Sequence, residues 1–187
     1  MLVLRLVVLA WLGVAVLAPP AGAVSPVAKT FEQLVAEAEL IVVGTITRVE
    51  GVRLASGPIV SDVTLSVLRI AKAVRPTPSS LVLRVLGGQV GDTALVVPGA
   101  PEFRAGQTVL LFVRGNLTEM FPFVGVQQGV FSVRRDAALG IDRVFDWRGR
   151  PVLGIRDGAV TVDPAAAATD AVPLDDFLQA ATRAIRG

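Results

Sequence analysis

The chain holds few side chains able to do chemistry. Its 187 residues include no histidine, no cysteine and no tyrosine, so Ser-His-Asp and Cys-His machinery cannot be assembled. Thiolate metal sites and thiol redox roles are closed for the same reason. Zinc or copper would be left with carboxylates alone, a poor ligand set for either. Carboxylate pairs can still do acid–base work, as in glycoside hydrolysis. The closest pairs are Asp142 with Asp146 and Asp175 with Asp176. The first falls in a weak edge-strand pattern and the second opens a helix, where solvated and dipole-capping roles are expected. No catalytic, cofactor-binding or metal-ligating residue is assigned, and no cofactor is expected.

Other stretches invite a binding reading. Gly87-Gly88-Gln89-Val90-Gly91 follows a strand as phosphate-cradling loops do, but no helical pattern and no Lys-Ser/Thr pair completes it. A tight turn requiring positive φ accounts for it better. Gln127-Gln128-Gly129 is a second polar bend between apolar strands. Loops on a rigid scaffold are where recognition sites sit, so Gly87, Gly88, Gly91, Gln127, Gln128 and Gly129 are the candidate partner-contact residues. Trp147 beside Arg148 and Arg150 offers a stacking surface, set against an edge-strand anchor as the plainer role. Asn116-Leu117-Thr118 matches a glycosylation acceptor.

The elements that must position these residues are mostly strands. Phe31, Leu34, Val35 and Ala38 recur at helical spacing within 27–40, with Thr30 as N-cap and Gln33 as capping-box partner. The helix runs into a long strand, residues 39–50, apolar on both faces as far as Val43 and interrupted by Gly44. Such a strand suits a sheet that bends and closes, with Gly44 at the bend. A loop at 51–58 leads to an alternating strand, 62–67, making a hairpin. Residues 72–80, with Pro76 and Pro78, read as a loop, 81–86 as a strand and 94–97 as a short strand. Residues 109–113 read as a central strand buried on both faces. Segments 121–126 and 130–133 read as a hairpin bending at Gln127–Gly129, and 143–147 and 159–162 as edge strands. Alanine-rich 164–169 is an exposed, mobile link. Residues 173–186 form the closing helix, with Asp175 and Asp176 at its start, Arg183 and Arg186 at its end, and Leu174, Phe177, Leu178, Ala181 and Ile185 as its apolar stripe.

The first residues carry an address. A positive start to Arg5, a 13-residue apolar run Leu6–Ala18, two prolines and Ala21-Gly22-Ala23 make up the parts of a secretory signal peptide. The run is shorter than the roughly 20 residues a spanning helix needs. The expected product is secreted or periplasmic, cleaved after Ala23, with 24–187 as a single domain and no membrane attachment. That product has 17 basic and 16 acidic residues. The pI of about 9.9 therefore reflects the lack of groups titrating near neutrality, and not a basic surface. Nucleic-acid binding is not supported.

The order of helix, Leu40-Ile41-Val42-Val43-Gly44-Thr45-Ile46 and then Val63-Thr64-Leu65-Ser66-Val67 resembles the start of netrin-like modules, the barrels shared with tissue inhibitors of metalloproteinases. Phe103-Arg104-Ala105-Gly106-Gln107-Thr108-Val109-Leu110-Leu111-Phe112 is similar to their step of Phe, two residues, Gly and strand. With Gly87-Gly88, Gly99-Ala100-Pro101 and Gln128-Gly129, the chain looks still closer to exported bacterial proteins of this layout. The resemblance covers about residues 31–134. It implies a mainly β fold, a closed OB-like barrel with a short N-terminal and a C-terminal helix, of a class that binds partners in its groove and loops. Those inhibitors present an N-terminal cysteine to zinc; this chain has none, so the fold carries over better than the inhibition.

The expected function is a non-catalytic exported binding or accessory module, acting on another exported protein such as a protease. Two alternatives stay open: an envelope-associated structural protein retained by an uncleaved Leu6–Ala18, and a carboxylate-dependent enzyme.

Overall fold

A computed structural model describes residues 27–187. The expected signal peptide, its apolar run and the cleavage point after Ala23 lie outside the described residues. The chain from Val27 onward is mainly β, with a short helix near each end. No described helix is long and apolar enough to cross a membrane.

Helix α1, Phe31–Glu37, starts where the capping box predicts: Gln33 N–H donates to Thr30 Oγ1 (3.2 Å) and Thr30 N–H to Gln33 Oε1 (2.9 Å). It is shorter than the apolar spacing suggests, because Ala38 is already extended and the chain turns directly into strand β1, Leu40–Arg53. Strand β2, Ile59–Ala73, runs well past the alternating 62–67. Residues 67–73, which lack a clean alternation, become strand because β1 supplies the partner, from Gly44↔Val67 to Leu40↔Ala73. Then come β3 (Ser80–Leu86), β4 (Gly88–Val90), β5 (Thr93–Leu95), β6 (Thr108–Val113), β7 (Val130–Asp136), β8 (Ile141–Asp146), β9 (Val152–Arg156) and β10 (Ala159–Val162). Helix α2, Leu174–Arg186, closes the chain as expected. Two expectations fail locally. Residues 121–126 make only a Val113↔Phe123 bridge instead of a strand, since Gly125 and Val126 take positive φ (62° and 59°). The glycine-rich 87–91 is no plain loop but the start of the β4–β5 hairpin.

Strands β3-β2-β1-β6-β7-β8 form one antiparallel sheet in that order. It has two ends, β3 and β8, with no pairing between them among the described residues, so no closed barrel is found. Local contacts occupy both edges instead. The Asn116 amide lies along β3, donating to Val82 O (2.8 Å) and accepting from Arg84 N–H (3.3 Å), as a paired peptide would. Along β8, Val144 N–H donates to Val172 O (3.0 Å) and Asp146 N–H to Arg150 O (2.9 Å).

The sheet still bends. Register slips between β1 and β2 occur at Ile41/Val42, Val43/Gly44 and Ile46/Arg48, and bulges of this kind kink and twist a strand pair. Alternation along β1 then feeds two cores. Ile41 and Val43 join α1, α2, Leu110, Phe112, Phe131 and Val144 on one face. There Phe177 of α2 packs edge-on against Phe31 (5.3 Å between centroids) and at a tilt against Phe131 (5.2 Å). Val42 and Ile46 join Val63, Leu65, Leu83, Val85, Val109, Leu111 and Phe123 in a second core on the other.

Candidate functional site

Two grooves open on this second side, separated by the segment Pro101–Phe103, which lines both. The first, about 530 Å³, lies between the far ends of β1 and β2, the β4–β5 hairpin and residues 94–103. Gly87 and Gly88, at φ 100° and 139°, turn the chain so that β4 crosses β1. A Cβ at Gly88 would collide with Ser61 Oγ, which donates to Gly87 O (2.8 Å), and one at Gly51 with the Gln89 carbonyl. Only glycine allows that approach.

The second groove, about 660 Å³, lies over β6, β7 and the β8–β9 turn. Its wall is built by Asp146. The Asp146 carboxylate, almost fully buried, accepts from Arg148 N–H (3.0 Å), Arg150 N–H (2.8 Å) and Arg150 Nε (2.7 Å). That network shapes the turn presenting Trp147, Arg148 and Gly149. Arg148 lies over the Trp147 ring (4.6 Å to the centroid), and Arg134, from β7, over the buried Phe145 ring (4.3 Å). Gly149, at φ 78°, gives Arg134 room: a Cβ there would sit 2.6 Å from Arg134 Nη2. Ser132 lines the same groove, and its hydroxyl is shielded and has no partner among the described residues. Arg104 and Arg135 complete the lining; Glu102 is its one acidic residue.

The candidate partner-contact residues do not form one site. Gly87 and Gly88 line the first groove, and Gly91 (φ 56°) lies open at the tip of the β4–β5 hairpin. Gln127, Gln128 and Gly129 line neither groove. Gln128 ties down the chain ahead of α1, accepting from Lys29 N–H (2.8 Å) and donating to Val27 O (3.2 Å). Gly129 is packed against Phe112, whose N–H donates to Gly129 O (2.8 Å). The Gln127 side-chain oxygen Oε1 is buried and has no partner among the described residues.

Of the four candidate carboxylates, Asp176 makes no ion pair among the described residues and the other three are engaged by arginines. Asp142 pairs with Arg135 (3.2 Å), Asp146 with Arg150 (2.6 Å) and Asp175 with Arg69 (2.5 Å). Asp62 and Arg84, opposite each other on β2 and β3, make a two-point pair (2.8 and 2.7 Å). The Arg84 hydrogen bond, helped by its charge, holds the Asp62 carboxyl below its ordinary range against the opposing pull of burial. Asp136 is lowered as well, first by its bond from Arg143 (2.9 Å) and then by the Leu139 and Ala138 amides. Arg143 also donates to Ala171 O (2.6 Å), tying β8 to the approach to α2. No group of three acidic side chains that could hold a metal occurs among the described residues.

The sequence offered Trp147 beside Arg148 and Arg150 as a stacking surface, and of the two arginines Arg148 lies over the ring while Arg150 is bound to Asp146. The sequence did not connect Trp147 and Arg148 with Arg134 or Phe145, whose partnership is a cross-strand diagonal that depends on the β7–β8 register. The one available signal was Arg134-Arg135, the single basic pair outside the 148–150 turn. Comparison of the chain with protein-family models, curated proteins and solved structures finds no match.

Proposed function

We propose that the protein is a non-catalytic binding module, exported under the direction of residues 1–23, and that it engages another exported protein through the paired grooves beside Pro101–Phe103. The observation that carries this reading is the second groove. It combines two aromatic-backed arginines with a shielded, unpartnered hydroxyl and, on its lining, no pair of carboxylates. Concave sites of this volume with a few convergent polar groups are where proteins take ligands. The finer likeness to an OB-like barrel of the netrin type belongs to the same proposal. Its support is the bulged β1–β2 pairing and the second core shared by β1, β2, β3 and β6.

The test is capture from the host's exported proteins with the tagged full chain and with two surface variants. Val96→Arg adds bulk in the first groove, where Val96 is 81% exposed, and Arg148→Glu reverses charge in the second. A partner retained by the parent chain and lost by at least one variant supports the reading. No partner, or equal retention by all three chains, overturns it.

A further inference from the structure

The second groove also indicates what its occupant must look like. Its rim carries Arg104, Arg134, Arg135 and Arg148 against the single Glu102. Arg135 is neutralised by Asp142 (3.2 Å) and Arg104 lies 3.5 Å from Glu102. Arg134 and Arg148 have no carboxylate within 4 Å among the described residues. Arg53, Arg75, Arg156, Arg183 and Arg186 also lack such a partner, but none of them lines either groove; what sets Arg134 and Arg148 apart is that both line this one.

Their setting suits ligand capture better than idle solvation. Each guanidinium lies over an aromatic ring, Arg134 over Phe145 and Arg148 over Trp147. One face is thereby covered, while the planar N–H fork keeps the geometry that matches a carboxylate at two points. Stacking also restricts the side chain, so less rotamer freedom is lost on binding. Two independent features fix the arrangement. Asp146 builds the turn that presents Arg148, and Gly149 leaves the space into which Arg134 Nη2 extends.

We infer that Arg134 and Arg148 form a carboxylate-recognition pair, and that the occupant of the second groove is an acidic peptide segment of the partner protein. This rests on the binding-module reading and specifies its chemistry. Charge complementarity selects the occupant: a cationic rim flanked by aromatic and aliphatic surface, Trp147, Phe103 and Pro101, takes an acidic segment with apolar neighbours.

Trp147 reports directly on the site. The chain has two tryptophans, so replacing Trp11 with Phe leaves Trp147 as the sole emitter in the full chain. Titration with hexaglutamate is expected to change that emission saturably, with affinity falling as salt rises. Arg134→Gln and Arg148→Gln should each weaken binding by about tenfold, the loss expected for one charge-assisted contact. Arg75→Gln removes the same charge from an exposed position outside both grooves and should leave binding unchanged. A flat emission, or Arg134→Gln and Arg148→Gln binding as tightly as Arg75→Gln, overturns the inference. Inorganic phosphate matching hexaglutamate in affinity would reduce the site to one for a small oxyanion and overturn the peptide assignment. In the capture experiment, a partner held equally by the parent and by the Arg134→Gln/Arg148→Gln chain defeats the carboxylate pair alone and leaves the module reading standing. Failure of the parent to capture anything defeats the module reading.

Discussion

Gly44 shows how one position can be legible while its reason is not. The sequence places a bend there, and the bend coincides with a register slip between β1 and β2. The requirement for glycine is close approach: a Cβ would come within 2.6 Å of Leu65 Cγ and 2.5 Å of the Ser66 carbonyl oxygen. Leu65 is fully buried and the carbonyl belongs to the paired strand, so neither can yield cheaply. Gly44→Val is expected to cost about 2–3 kcal/mol by overpacking. That lowers the melting temperature by roughly 5–10 °C for a domain of this size, as thermal unfolding would show. At Asn116 the residue type misleads. Its amide nitrogen, the glycosylation atom, is already donating to Val82 O, so the match to an acceptor motif coincides with a structural role.

Among the elements, the edge strands carry the clearest consequence. Strand β3 ends the sheet, and a bare edge is a template for pairing with another chain. Asn116 meets the polar groups at Val82 and Arg84, and Leu86 N–H donates to Met120 O (2.8 Å). Asn116→Ala removes two of these contacts and is expected to cost about 1–2 kcal/mol. It should also expose an edge next to Val82, which is 43% exposed. Concentration-dependent self-association, read by analytical ultracentrifugation, is the expected outcome; a monomeric variant of parental stability would show that the edge is protected elsewhere. The helices were readable because each has an apolar stripe and a start signal, a capping box at Thr30 for α1 and Pro173 followed by Asp175 and Asp176 for α2. Strand β9 was missed because Val152–Arg156 has neither alternation nor a long apolar run, and becomes strand only by pairing with β10.

For the molecule as a whole, composition sets the response to pH. With no histidine, cysteine or tyrosine side chain, no side chain ordinarily titrates between the carboxylates and the lysines. Stability should therefore be nearly flat from about pH 5 to 9. Acid is different. Asp62 and Asp136 have folded-state values below those of the unfolded chain, so folding binds fewer protons than unfolding near pH 4. Their contribution is complete above the unfolded value of about 3.9 and is lost as pH falls through the folded values. Urea midpoints should hold steady above pH 5 and fall below pH 4. Asp136→Asn should be less stable than the parent at pH 7, and the gap between the two should narrow as pH falls below 4. A constant gap would mean that Asp136 does not act through its charge.

What the sequence determined by itself is local or compositional. End signals and apolar spacing set the two helices, runs of alternating or continuous apolar residues set β1, β3 and β6, and the missing residue types closed whole classes of chemistry. Tertiary structure alone decided that the sheet ends at β3 and β8, because closure depends on which distant edges meet and on what covers them. It also decided that 127–129 fasten the fold, and that Arg134 and Arg148 converge on one groove. Residues 134 and 148 become neighbours only once β7 and β8 are in register and Asp146 has folded the turn between β8 and β9. Side-chain partnership across strands is a property of register, and register is settled by the packing of the whole sheet.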